Sequence, residues 1–95
     1  MAIHQNDTST RGFFTSEDNG VEKGRLHYSW AGIGTLVINH TEVYPEFENH
    51  GNGLALVEAA VDFARKKKIN IIPKCSFTRE MFRQHPEWKD VLWQG

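Results

Sequence analysis

The chain has a single cysteine, Cys75, and no apolar run near the roughly 20 residues that cross a bilayer. One thiol excludes an internal disulfide framework and fits a reducing cytosol. Charge of one sign is also missing: 11 Lys and Arg face 12 Asp and Glu, for a formal net charge of -1. Proteins that wrap nucleic acid carry a basic excess, so neither a nucleic-acid nor a membrane partner is expected. Met1–Asp7 has neither the basic flank nor the apolar stretch of a signal peptide, so a cytoplasmic location is expected. His4, His27, His40, His50 and His85 show no metal-ligand spacing, and one cysteine cannot complete the usual zinc site, so no metal is expected. What is there is a folding composition. The 95 residues are 39% hydrophobic and 12% aromatic, which predicts one globular domain over residues 1–95.

The first half reads as an antiparallel meander. Met1–Thr10 is polar and aperiodic, and is expected to fray or to form a short edge strand. Gly12–Thr15 reads as a strand, Ser16–Gly20 as a turn built on Asn19-Gly20. From Val21 to Trp30 the pattern alternates, with Leu26, Tyr28 and Trp30 on one face and Arg25, His27 and Ser29 on the other. Thr35–Val43 is a further strand, and its Leu36-Val37-Ile38 run predicts a central position buried on both faces.

The second half changes period. Tyr44–Asn52 is a loop, and Gly51-Asn52-Gly53 leads into a helix from Leu54 to Lys68. Leu54, Val57, Val61 and Ala64 recur at helical spacing with Ala60 beside them, Asp62 and Lys66 are placed to pair, and Lys66–Lys68 suit the negative end of the dipole. Ile69–Ile72 is a short buried strand stopped by Pro73, so strand, helix and strand form a right-handed parallel crossover. Ser76 or Thr78 caps a second helix through Arg83, His85-Pro86 ends it, and Glu87–Trp93 is a last turn or short helix.

Three features could carry chemistry. Gly51 and Gly53 stand between a strand and a helix N-terminus, where free N–H groups and the dipole attract an anion. Leu56 stands where a dinucleotide fingerprint has its third glycine, and no Gly-Lys-Ser/Thr string marks a P-loop. The glycines serve either a phosphate or simply a tight turn. Cys75 precedes a helix start, which lowers a thiol pKa and makes a nucleophile or proton donor; the other reading is an inert core thiol. His40 ends the long strand beside Thr41 and Glu42. It is a base for Cys75 or an ordinary hydrogen-bonded strand end.

Asn39-His40-Thr41-Glu42-Val43, then Gly51-Asn52-Gly53-Leu54-Ala55, an alanine-rich helix and Ile71-Ile72-Pro73-Lys74-Cys75-Ser76-Phe77 together resemble the small branch of the GNAT acetyltransferase superfamily. The resemblance runs from Phe13 to Trp93. It implies an α+β fold: a mixed, mostly antiparallel sheet with a splayed parallel strand pair and flanking helices. It implies acetyl-CoA as co-substrate, its pantetheine arm bonded by backbone at Thr41 to Val43 and its pyrophosphate on the N–H groups of His50, Gly51, Asn52, Gly53 and Leu54. Ser76 and Phe77 join that cofactor set, and Cys75 falls near the thiol end.

The sequence departs from the superfamily at Glu48, which stands where Gln or Arg is usual and brings a negative charge toward the phosphates. Asn52 replaces a basic or apolar residue. The expected activity is N-acetylation of an amine, small-molecule or protein. Cys75 acts as leaving-group acid or nucleophile, with His40 or Glu42 as base. The alternative is a CoA-binding or partner-binding module without turnover.

Overall fold

The computed structural model describes residues 1–95. Strands β1 (Ala2–Asp7), β2 (Arg11–Asp18), β3 (Val21–Trp30) and β4 (Thr35–Val43) are followed by helix α1 (Asn52–Lys67), strand β5 (Asn70–Pro73) and helix α2 (Ser76–Gln84). Short 3₁₀ turns occupy Pro45–Phe47 and Pro86–Trp88. The five strands form one sheet in the order β1-β2-β3-β4-β5, antiparallel except for the β4–β5 pair. The α+β architecture is the expected one.

The N-terminal segment is an edge strand, in register from Ala2 opposite Glu17 to Asp7 opposite Gly12. Asp7 ties it down. Its Oδ1 accepts from the Tyr28 hydroxyl at 2.6 Å and from the Trp30 indole N–H at 3.0 Å. Burial pushes the Tyr28 phenol far above its ordinary value, and the Asp7 carboxylate adds to the rise. β2 runs past the expected stop at Thr15, because a bulge between Ser16 and Glu17 carries the pairing on to Asp18. The turn is thereby confined to Asn19-Gly20, with φ of 51° and 77°, the left-handed pair that suits a two-residue hairpin.

β4 departs from expectation. It is fourth of five strands, and Leu36 and Ile38 are buried while Val37 is only half-buried. One face packs on the core. The other stays open around His27, Asn39, His40 and Glu42. The register supplies a further feature: His27 lies opposite His40 but Tyr28 lies opposite Ile38, so Asn39 is an extra, bulged residue. Beyond it the alternation changes phase. Thr41 and Val43, opposite Leu26 and Gly24, turn to the core side; His40 and Glu42 turn to the open one.

α1 covers the sheet from β1 to β5 with Leu56, Val57, Ala60, Val61 and Ala64, all buried. It begins at Asn52, two residues earlier than the periodicity suggests, and Lys68 closes it in a left-handed conformation (φ 58°, ψ 47°). The expected Asp62–Lys66 pair is replaced by Arg65, which reaches Asp90 with Nε–Oδ2 at 2.6 Å and keeps Asp62 at 3.9 Å.

β5 lies parallel to β4, Leu36 opposite Ile71 and Ile38 opposite Pro73. Pairing stops there. The Lys74 and Cys75 N–H groups both donate to the Ile38 carbonyl, at 3.0 and 3.1 Å, and the chain turns into α2. The stretch of β4 after the bulge therefore has no strand on that side. The outer edge of β5 is closed by the C-terminal segment, with Ile71 N–H donating to Val91 and Trp93 N–H to Ile71.

Candidate active site

The gap beside the second half of β4 opens into a groove of about 400 Å³, walled by Thr41 and Val43 of β4, by the loop and first turn at Glu48, Asn49 and Gly51–Leu54, and by Phe77 of α2. Gly51 is the N-cap of α1 at φ 82°, a left-handed conformation that glycine adopts without strain. No side chain caps the helix. The N–H groups of Asn52, Gly53 and Leu54 thus have no partner within the helix, and they sit on the groove wall. Gly53 has a different neighbour: a Cβ there would lie 2.7 Å from the far end of the Phe77 ring, so the ring would have to shift.

The electrostatics are unusual for an anion cradle. Glu48 is the sole charged residue of the wall, and no Lys or Arg lines it. Any attraction for phosphate comes from backbone N–H groups and the positive end of α1. Asn52 is buried at 2% exposure. Its Nδ2 donates to the Phe47 carbonyl at 3.4 Å, and its Oδ1 has no partner.

Of the residues expected to hold the cofactor, Thr41, Val43, Gly51, Asn52, Gly53, Leu54 and Phe77 are brought together here. His50 is not: it faces a separate cavity of about 210 Å³ with Asp18, Lys23 and Phe47. Ser76 opens α2 as an exposed residue away from the groove wall.

Cys75 is half-buried at the N-cap position of α2 that the sequence suggested for Ser76 or Thr78, and its side chain makes no cap hydrogen bond. Burial pushes its thiol up. The N–H and hydroxyl of Thr78, with backbone groups of Thr41 and Phe77, pull it down by more, so that it ionises below the ordinary thiol range. Cys75 is not among the residues of the groove wall; it stands two positions before Phe77, which is.

His40 and Glu42 are not its partners. The bulge sends both to the open face, where His40 Nε2 is 3.5 Å from Glu42 Oε1 and the His40 ring stacks on His27 with centroids 6.2 Å apart. The expected Cys75–His40 couple therefore does not form; backbone alternation puts the two on opposite sides of β4. On the same open face, loss of water around His27, then Arg25 and His40, hold its imidazole below the ordinary value. Glu22 is held low by hydrogen bonds from Arg25 and Tyr44. No group of three or more His, Cys, Asp or Glu is placed to hold a metal.

Three participants escape sequence reasoning. Asn39 gives no signal as a bulge. Asn49, at φ 66°, belongs to the groove wall, and Asn in a loop ahead of glycine was its available hint. Thr78 reads as a cap and proves to be fully buried, its hydroxyl 3.2 Å from that of Thr41.

A five-stranded mixed sheet, opened between parallel neighbours and facing an uncapped helix N-terminus, defines an α+β protein with a ligand groove at a strand splay. A family model for GCN5-related N-acetyl-transferase matches residues 12–91, and the chain belongs to that family. No match was found among curated proteins. Among solved structures, the chain is similar to a GCN5-like protein from Staphylococcus aureus, with TM-score 0.69 and 24% identity over 95% of this chain and 87% of that one. A ribosomal-protein-alanine N-acetyltransferase from Brucella melitensis biovar Abortus gives TM-score 0.69 and 14% identity over 81% of this chain and 62% of that one. An aminoglycoside N-acetyltransferase in complex with CoA gives 0.65 and 13%, over 87% and 88%. These likenesses are in the fold. No helix is long and apolar enough to cross a membrane.

Proposed function

We propose that residues 1–95 act as one unit that transfers an acetyl group from acetyl-CoA to an amine, in the reducing cytosol that its lone thiol suits. One observation carries this reading: the gap along the unpaired half of β4 is walled by Thr41 and Val43 on one side and by the uncapped first turn of α1, with its free N–H groups, on the other. CoA in the aminoglycoside enzyme of like fold supports the choice of donor. Backbone groups at Thr41 and Val43 bind the arm of the donor, and the first turn of α1 binds its phosphates. The amine adds to the thioester carbonyl through a tetrahedral oxyanion. Cys75 gives its proton to the sulfur that leaves. The amine, small-molecule or protein, reaches the thioester through the groove, and His40 and Glu42, expected as its base, face the other side of β4 and do not line that groove.

The acidified thiol favours one further reading, in which the Cys75 thiolate attacks the thioester and an acetyl-cysteine passes the group on. Titration of acetyl-CoA against amide signals tests the site: Thr41, Val43 and Gly51–Leu54 should shift, and β1 should not. Turnover with an amine panel tests the activity, and an acetyl adduct on Cys75 after acid quench separates the two routes. Binding without turnover on any amine would leave a CoA-binding module. No binding at all would refute the proposal.

A further inference from the structure

A hollow larger than the groove, about 690 Å³, lies on the sheet face that α1 leaves uncovered. The register of β2 with β3 builds it. Arg11 lies opposite Ser29, Phe13 opposite His27 and Thr15 opposite Arg25, so these side chains share one face. Phe14, Leu26 and Tyr28 between them enter the core. Arg11, Phe13, Arg25, His27 and Ser29 line the hollow, joined by Asn39 of the β4 bulge, which donates to the Ser29 hydroxyl at 3.0 Å.

Its charge is the reverse of the groove's. Two arginines and no carboxylate line it, in a chain of net charge -1. The groove wall has one carboxylate and no Lys or Arg. The acids nearest the hollow are engaged outside it: Glu22 with Arg25 and Tyr44, Glu42 with His40 at 3.5 Å, and Glu17 with His4 at 3.7 Å. Arg11 takes part in none of the chain's ion pairs. Loss of water around His27 keeps its imidazole uncharged at neutral pH, so it offers a flat surface rather than a third cation.

Arg25 is held in one pose. Its guanidinium stacks 4.1 Å from the centre of the Phe13 ring, and Glu22 accepts from Nε at 3.2 Å and from Nη2 at 2.9 Å. That clamp leaves Nη1 without a carboxylate. Phe13 follows Arg11 on this face, about 7 Å along the strand, so both guanidinium groups border the same space. A fork fixed in advance loses little freedom on binding, and a hollow of this size suits a small molecule.

We propose that the hollow is a second binding site, separate from the groove, for a small organic anion. Its carboxylate or phosphate lies between Arg11 and Arg25, and its flat part rests on the Phe13–His27 pair, whose ring centroids are 6.3 Å apart. Both anions offer the same chemistry, paired oxygens for guanidinium N–H groups. The site uses no residue of the groove and does not rest on the acetyltransferase reading.

Phenyl phosphate and benzoate are titrated into the ligand-free full chain while amide signals are followed, with benzamide as the uncharged control. Both anions should give saturable shifts at Phe13 and from Arg25 to Ser29, and benzamide should bind about tenfold more weakly or not at all. Tighter phenyl phosphate supports a phosphate ester as the ligand, and tighter benzoate a carboxylic acid. Arg25→Gln should weaken the better anion about tenfold and Arg11→Gln about threefold. Arg11 is exposed, so its variant decides the test if Arg25→Gln does not fold. No saturable shift on this face, shifts confined to Gly51–Leu54, equal binding of benzamide, or unmoved affinity in Arg11→Gln would overturn the proposal. So would a solution dimer that covers this face, which would give the hollow to a second copy of the chain.

Discussion

The two ends of the sheet are built to opposite purposes. At the β1–β3 end every strand is paired on its inner sides, and Asp7 ties β1 to Tyr28 and Trp30 across β2. The aromatic rings of Phe14, Tyr28, Trp30 and Phe63 pack together beneath it, with centroids 5.6–6.5 Å apart. At the β4–β5 end the pairing is broken after Ile38 opposite Pro73, and polar backbone faces a groove. The closed end supplies rigidity. The open end holds backbone donors that no protein group satisfies. The difference teaches that the unsatisfied backbone groups are concentrated at one end of the sheet, while side-chain ties and aromatic packing hold the other.

The sharpest way to break the comparison is to disable the open end without touching the closed one. Cys75→Ala should lower acetyl transfer by about 100-fold or more, the usual contribution of a proton donor, while acetyl-CoA binding and the unfolding midpoint stay near wild type. Steady-state turnover and a binding titration on one preparation check this. Full activity in the variant would reduce Cys75 to packing. The converse is Asp7→Ala, which leaves the Tyr28 hydroxyl with Gln5 alone and strips the Trp30 N–H. Urea unfolding should show a loss of about 2 kcal/mol, with acetyl-CoA affinity little changed.

Smaller effects sharpen the picture within the groove. Gly53→Ala places a methyl against the outer end of Phe77, which can swing because it is 40% exposed. Helix propensity improves, so stability should hold or rise, but the displaced ring should weaken acetyl-CoA by roughly 1 kcal/mol in calorimetry. Glu48→Gln removes the one charge on the groove wall and should tighten CoA about threefold at low salt, less as salt is added. Equal affinity would mean that the carboxylate faces away from the phosphates.

The open face predicts the smallest change. His27 ionises below its unfolded value, so it binds fewer protons when folded and favours folding above pH about 6.5. That contribution is lost as pH falls through the folded value. His27→Gln should therefore flatten the acid side of a stability-versus-pH curve, and an unchanged slope would remove His27 from the account.

The residues themselves announce much of this architecture. Leu26 and Tyr28 alternate inward as their pattern demands, Asn19-Gly20 makes the hairpin, and Val57, Ala60, Val61 and Ala64 bury the face of α1 that helical spacing assigns them. Such features depend on neighbours within a few positions, so periodicity and turn chemistry suffice to determine them. The family strings name Gly51–Leu54 together with Thr41, Val43 and Phe77, and these residues share the groove wall. They did not separate Gly51, which adopts a left-handed backbone, from Gly53, which does not and lies against the tip of the Phe77 ring. Nor could they show that His40 and Glu42 turn away from Cys75. That was decided by a single extra residue, Asn39, whose bulging exists only in the pairing of β4 with β3. A one-residue shift reverses every side chain after it, and no local pattern in Thr35–Val43 records the partner's register. Thr78 is the same case in a helix: its chemistry suits a cap, and only the docking of α2 against β4 buries it with its hydroxyl on that of Thr41.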